Sequence, residues 1–324
     1  MINDKLEKVF YGKVKRKANK TANIKTDLRN KASRVLGRKP EVMVKITGFS
    51  KSAGGVKSNL EYITRNGKVE LEDSKGGIYS GKESVKEFFN EWNDFDREGR
   101  RQNQRDTMKL VLSMPEGTDP DKLKNAAREF LKESFGANHE YAFALHTDDK
   151  HPHVHIAVKT LGFDERRLNP RKADIQHWRE SFAEKLRDNG IEAEATPRVV
   201  RGVVKKSESQ IIRHIETQLK AEEGKRKPRK STVKESQRAQ ATAELKTRTN
   251  ELKPWEKAIR KNQAETKKAW TEAAEELDNQ GTPEDKTLAS RMRRYAEYGM
   301  PKPETAADTL KKQIKAEREK GIER

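Results

Sequence analysis

The stretch EYAFALHTDDKHPHVHIAVKT, residues 140 to 160, limits what this chain can fold into more than any other segment. Phe143 and Leu145 before a short polar connection, and Ile156 and Val158 after it, mark two strands of a core sheet. TDDKHP is short enough to make them antiparallel neighbours. Side chains two apart on a strand share a face, so His153 and His155 project together, with His146 beside them from the preceding strand. Three imidazoles then converge on one point. The chain has no cysteine, which leaves histidine and carboxylates as its transition-metal ligands. A three-histidine site with no fourth Cys or His to close it keeps positions open for water or substrate, the mark of a catalytic centre. Asp148 has two readings, a turn residue or an acceptor that fixes a histidine tautomer. His151, next to Pro152, reads as a rim residue.

The segments around this hairpin supply the rest of a domain. EVMVKITGF alternates Val42, Val44 and Ile46 on one face, a half-buried strand. The following Gly54-Gly55 either wraps a phosphate or turns a corner. VKSNLEYITRNG has Val56, Leu60 and Ile63 at helical spacing and stops at Asn66-Gly67, so Tyr62 sits on a short helix directly after the first strand. SVKEFFNEWNDF predicts an amphipathic helix, MKLVLSM at 108 to 114 a strand, and PDKLKNAAREFLKESF a helix opened by proline. After the hairpin, RKADIQHWRESFAEKLRDNG predicts a helix ended by glycine. The expected fold is α+β, with helices covering one face of a mainly antiparallel sheet.

Charge gives the partner class. Lys and Arg number 71 against 52 acidic residues, a formal net charge of +19 that fits a polyanion, with nucleic acid as the default. Only 32% of residues are hydrophobic while 38% are charged, so the core is no larger than one ordinary domain. We expect a basic N-terminal arm or pair of short helices over 1–39, the folded domain over 40–205, and a charged, largely helical or disordered region over 206–324. In the last, a modest helical cluster is expected around Trp255, Trp270 and Tyr295. No segment has the apolar run of a signal peptide or a membrane span, so the expectation is a cytoplasmic protein without membrane insertion.

The pattern HxDxxxxHxH, formed by His146, Asp148, His153 and His155, resembles the third motif of P-type, VirD-like conjugative and mobilisation relaxases of the HUH endonuclease superfamily. VMVKITGF followed by SNLEYITRNG resembles their first motif, whose tyrosine nucleophile maps onto Tyr62. LVLSMPEG resembles the second, whose serine holds DNA beside the nick and maps onto Ser113. LNPRKADIQHWRESFAEKLRDNGIEAEATPR looks like the segment that closes the catalytic domain. The resemblance covers roughly residues 40 to 205 and departs in one respect, the forty or so residues ahead of the first strand. It implies a five-stranded antiparallel HUH palm with flanking helices and a divalent ion, Mg²⁺ or Mn²⁺. It also implies strand-specific nicking at a plasmid origin of transfer, through a 5′-phosphotyrosine. Implied partners are single-stranded and duplex DNA at the origin, accessory relaxosome proteins and a type IV coupling protein. The implied location is the cytoplasm of a bacterial donor, with passage into the recipient alongside the strand.

Under that reading Tyr62 is the nucleophile, and Asp148 or a histidine near the metal, such as His146, takes its proton. Arg65, Arg166, Arg167, Arg171 and Lys172 are candidate phosphate contacts. Tyr79, outside the family pattern, is the rival tyrosine and reads as structural. Two other functions compete. A rolling-circle replication initiator or transposase shares the histidine pair, but there the tyrosine helix follows the histidine strand, whereas Tyr62 precedes it by more than eighty residues. A non-catalytic basic nucleic-acid-binding protein would carry these histidines incidentally.

Overall fold

Alternation of side chains along β1 (Met43–Ser50), β4 (Thr107–Ser113), β5 (Tyr141–His146) and β6 (His153–Lys159) builds the centre of an antiparallel sheet. The computed structural model describes residues 2–11, 24–95, 101–203, 232–247, 253–319 and 321. Two units emerge, Tyr11–Thr196 and a second made of Met1–Phe10 with Pro197–Arg324.

In the Tyr11–Thr196 unit the strand order is β1-β4-β6-β5-β2-β3, where β2 (Leu71–Asp73) and β3 (Ile78–Tyr79) form a short hairpin on the β5 edge. The sheet therefore has six strands rather than five. Tyr141, Phe143, Val154, Ile156 and Val158 point to one face, under α5 (Pro120–Ser134) and α6 (Lys172–Asp188), whose Phe130, Trp178 and Phe182 complete that core. Ala142, Ala144 and Ala157 point to the other, under α3 (Ala53–Ile63) and α4 (Lys82–Trp92). Helices thus cover both faces, and the one-face expectation is corrected. The physical reason lies in the runs AFAL and IAV. They are apolar without interruption, as strands buried on both sides are, and their alanines let helices approach the second face closely.

Local signals fix the helix starts. Ser52 caps α3 by accepting from the Gly55 amide, and Asp119 caps α5 by accepting from the amides of Asp121 and Lys122, with Pro120 opening the helix. Val56, Leu60 and Ile63 of α3 are almost fully buried, each contributing about 1.5–3 kcal/mol relative to exposure. That burial holds the helix carrying Tyr62 to the sheet.

Of the lead-in, α2 (Ile24–Leu36) buries Leu28, Ala32 and Val35. Its Lys31 ammonium, 3% exposed, lies 3.2 Å from Glu180 and 3.7 Å from Glu194, while Arg34 binds Glu194 at 2.6 Å. Residues 12–23 lie outside the described residues.

The second unit contains α1 (Ile2–Tyr11, through Phe10), α7 (Thr232–Thr247), α8 (Pro254–Gln280), α9 (Pro283–Arg294), a π-turn at Tyr295–Gly299, and α10 (Ala306–Glu319). Trp270 is its centre, fully buried, edge-on to Phe10 and Tyr295, with its indole N–H donating to the Val200 carbonyl at 3.1 Å. Trp255 does not join this cluster as expected. It stays 53% exposed near the start of α8, with the Lys253 ammonium over its ring. The basic stretch 204–231 lies outside the described residues.

Candidate active site

Strand register sets the site. Ser113 pairs with His153 and His153 with His146, while Val111 pairs with His155 and His155 with Ala144. Paired residues share a face, so Ser113, His153 and His146 make one row and His155 stands in the next, all on the face that α3 covers. The imidazole centroids lie 4.5 to 5.2 Å apart, and one ring nitrogen from each histidine lies within 4.8 Å of the others.

Hydrogen bonds outside the cluster select the tautomers. His146 Nε2 donates to the Ile63 carbonyl at 2.6 Å, which leaves Nδ1 with a lone pair, and that Nδ1 is buried with no hydrogen-bond partner among the described residues. His153 uses the opposite nitrogen, Nδ1 donating to the His151 carbonyl at 2.9 Å and leaving Nε2 free. Burial, reinforced by His146, His153 and Arg65, lowers the His155 pKa to about 3. Burial also lowers that of His146, against the pull of the Ile63 carbonyl. The orphaned Nδ1 of His146, the imidazole of His155 kept neutral by burial, and Nε2 of His153 make a three-nitrogen donor set of the kind a divalent ion requires, so these residues fit one.

Tyr62 occupies the last turn of α3, where Ile63 locks into the core and directs its neighbour outward, 55% exposed. Its ring meets His155 edge-on, with centroids 5.4 Å apart. The helix then stops earlier than the Asn66-Gly67 signal implies, with Thr64 as its C-cap. Arg65, Asn66 and Gly67 follow with φ of 52°, 57° and 87°, a run of left-handed residues. Such a conformation in an arginine is uncommon and tends to occur where geometry is being imposed. Here it turns Arg65 back, so that its guanidinium lies 5.5 Å from the Tyr62 ring centroid and 2.6 Å from the Asp148 carboxylate.

Asp148 is therefore engaged with Arg65. It lies 4.0 Å from His146 Nδ1, beyond hydrogen-bond reach, and the carbonyl of Ile63 orients that histidine instead. Partial burial would raise the Asp148 pKa, but Arg65 outweighs this and holds it below the ordinary carboxylate value. An ionised carboxylate of low proton affinity is a poor acceptor for a phenol proton.

Ser113 ends β4 buried, on the row of His153 and His146, and Met43 of β1 continues that row to an exposed edge. The remaining candidates stand apart. Arg167 binds the Thr160 hydroxyl and the Arg105 carbonyl just beyond the far end of β6, about 20 Å along the strand from His153, and exposed Arg166 is its neighbour. Arg171 and Lys172 are exposed at the start of α6, on the opposite face of the sheet. Tyr79 donates to Asp73 and packs on Phe88, a structural setting. Sequence reasoning missed the carbonyls of Ile63 and His151, since any residue supplies a carbonyl and no side-chain signal marks them.

Residues 62–191 match the relaxase family model described as MobA/VirD2-like, nuclease domain, so the match opens on Tyr62 and includes all three histidines. The T-DNA border endonuclease VirD2 of Rhizobium radiobacter is 28% identical over 186 residues, 51% of this chain and 44% of that protein. VirD2 of Rhizobium rhizogenes is 27% identical over 183 residues, 50% of this chain and 42% of its own length. VirD2 of Agrobacterium fabrum (strain C58 / ATCC 33970) is 26% identical over 186 residues, 51% and 42%. The chain spans less than half the length of these curated relatives.

Proposed function

Because residues 62–191 match a relaxase model described as MobA/VirD2-like, nuclease domain, we propose that the chain nicks one DNA strand at an origin of transfer by transesterification. The observation that carries this reading is an exposed tyrosine whose ring centroid lies 5.4 Å from that of His155, one of three histidines whose ring nitrogens converge within 4.8 Å of one another. The Tyr62 hydroxyl oxygen attacks the scissile phosphorus, the bond from phosphorus to the 3′-oxygen breaks, and the hydroxyl proton ends on that 3′-oxygen. The products are a 5′-phosphotyrosine and a free 3′-hydroxyl. A divalent ion held by His146, His153 and His155 supplies charge stabilisation at the scissile phosphate.

The residues of the chain do the rest. Ile63 and His151 fix the imidazole tautomers, and β4 holds Ser113 on the row beside His153, where a strand crossing from Met43 can rest. Arg65 neutralises charge beside the nucleophile. Because the linkage retains the energy of the broken bond, the attached protein can rejoin the strand, and a relaxase of this type would accompany it through a type IV coupling protein with relaxosome partners. No described helix is long and apolar enough to cross a membrane.

The test is incubation of the full chain with labelled single-stranded candidate origins in Mn²⁺ or Mg²⁺, with and without chelator. Nicking that chelator abolishes supports the reading. Metal-independent cleavage, or persistence of cleavage in His153→Ala and His155→Ala, would remove the histidines from it.

A further inference from the structure

A second feature of α3 lies on the flank of the helix away from Tyr62. Leu60 of α3 and Val85 and Phe89 of α4 floor a crevice of about 270 Å³, and Lys57, Lys82 and Lys86 stand at its rim. Gly67 lies at one end, where a Cβ would fall 2.3 Å from the Lys82 amide nitrogen, so only glycine lets the turn after the tyrosine helix close so tightly on α4. Lys57, Leu60, Glu61 and Thr64 face the crevice at i, i+3, i+4 and i+7, and Tyr62 lies about 100–160° from each of them round the helix, on the opposite flank of α3.

We propose that this crevice binds one nucleotide of the single-stranded substrate, a short way along the strand from the scissile phosphate; this rests on the nicking reading above. The volume approaches that of small-molecule sites, and the floor is apolar with an aromatic ring, which is how proteins hold an unstacked base. Lys86 is engaged by Glu83 at 3.6 Å, whereas Lys57 and Lys82 make no ion pair among the described residues and are available to a phosphate. The carboxylate of Glu61 suits a nucleotide better than a bare phosphate. It repels an anion but accepts a hydrogen bond from an exocyclic amino group, such as that of cytosine. The nucleotide is then gripped at both ends, its base in the crevice and its backbone at the lysines, which would anchor the strand where it passes round α3 towards Tyr62.

Photo-crosslinking of the full chain tests this, with oligonucleotides that carry 5-iodocytosine at one position at a time on either side of the nick. One position should crosslink to peptides within residues 57–89, and Lys57→Glu/Lys82→Glu should lower that yield at least tenfold while Mn²⁺ binding by the histidines, a control for folding, stays unchanged. Crosslinks that all map elsewhere, or that persist at full yield in the double variant, overturn the proposal, and nicking in the same samples keeps the relaxase reading intact. A chain that crosslinks at 57–89 and loses that signal in the variant, yet never nicks, retains the nucleotide site and loses the nicking reading.

Discussion

The Tyr62 ring lies edge-on to the His155 imidazole, with centroids 5.4 Å apart, although the two residues come from a helix and a strand far apart in sequence. Two elements hold that contact. Ile63, the last residue of α3, is buried in the core and also lends its carbonyl to His146, so the residue after Tyr62 is tied directly to the cluster.

Asp148 provides the first discrimination. A general base contributes about 10²–10⁴ in rate, whereas an exposed ion pair is worth about 0–1 kcal/mol of stability. With its carboxylate on Arg65 and out of reach of His146, Asp148→Asn should slow nicking less than tenfold and leave the melting temperature nearly unchanged. A thousandfold loss of kcat in a folded variant would restore Asp148 as the base.

The buried ion pairs at α2 give a pH dependence. Burial raises the pKa of Glu194, but Lys31, the Ala195 amide and Arg34 outweigh it, so the folded value lies below the unfolded one. Stability from this group is fully present above the unfolded value and is lost as pH falls through the folded one, below the ordinary carboxylate range. Lys31 runs the other way. Burial lowers its pKa, but Glu180, Tyr11 and Glu194 raise it further, so its contribution holds at neutral pH and is lost only in strong alkali. Glu194→Ala should cost up to about 3 kcal/mol at pH 7 by removing one of the carboxylates that offset the Lys31 and Arg34 charges while Glu180 stays on Lys31, with a smaller difference at pH 3. A constant difference in urea midpoint from pH 3 to 7 would show that Glu194 acts by packing alone.

Charge outside the Tyr11–Thr196 unit should act through salt. A fragment of residues 11–196 retains every residue of the histidine cluster and the Lys31–Glu194 pair, and sheds the basic 204–231 stretch. It should nick in low salt with weaker binding, and its slope of log K against log salt should flatten by about 0.7 for each phosphate contact removed from single-stranded DNA. A folded, metal-binding fragment that does not nick would mean that the remainder of the chain builds part of the active site. An unchanged slope would take that remainder away from DNA.

Much of the site was legible because its signals are local. The period of two brings His153 and His155 to one face, and a short hairpin brings His146 to them. Helical spacing of Val56, Leu60 and Ile63 turns Tyr62 outward. What escaped depends on tertiary packing. β2 and β3, of three and two residues, are too short to show a period, so neither of these two strands is legible in the sequence. Trp255 and Trp270 look alike in sequence, and only the packing of Phe10 and Tyr295 around Trp270 separates the buried one from the exposed one. The run of positive φ at Arg65, Asn66 and Gly67 was foreshadowed only by its last two residues, and with it the reach of Arg65 to Asp148.

The central claim is that Tyr62 becomes covalently joined to the 5′ end of a nicked strand. The most direct measurement incubates the full chain with a labelled single-stranded origin in Mn²⁺, isolates the protein–DNA adduct that survives SDS, and maps the modified residue by mass spectrometry. The account predicts a nucleotide 5′-phosphate on Tyr62, and in Tyr62→Phe no adduct and no nick while DNA binding stays within about threefold, since only one exposed hydroxyl is lost. An adduct mapped to Tyr79, or nicking that continues in Tyr62→Phe, would contradict it.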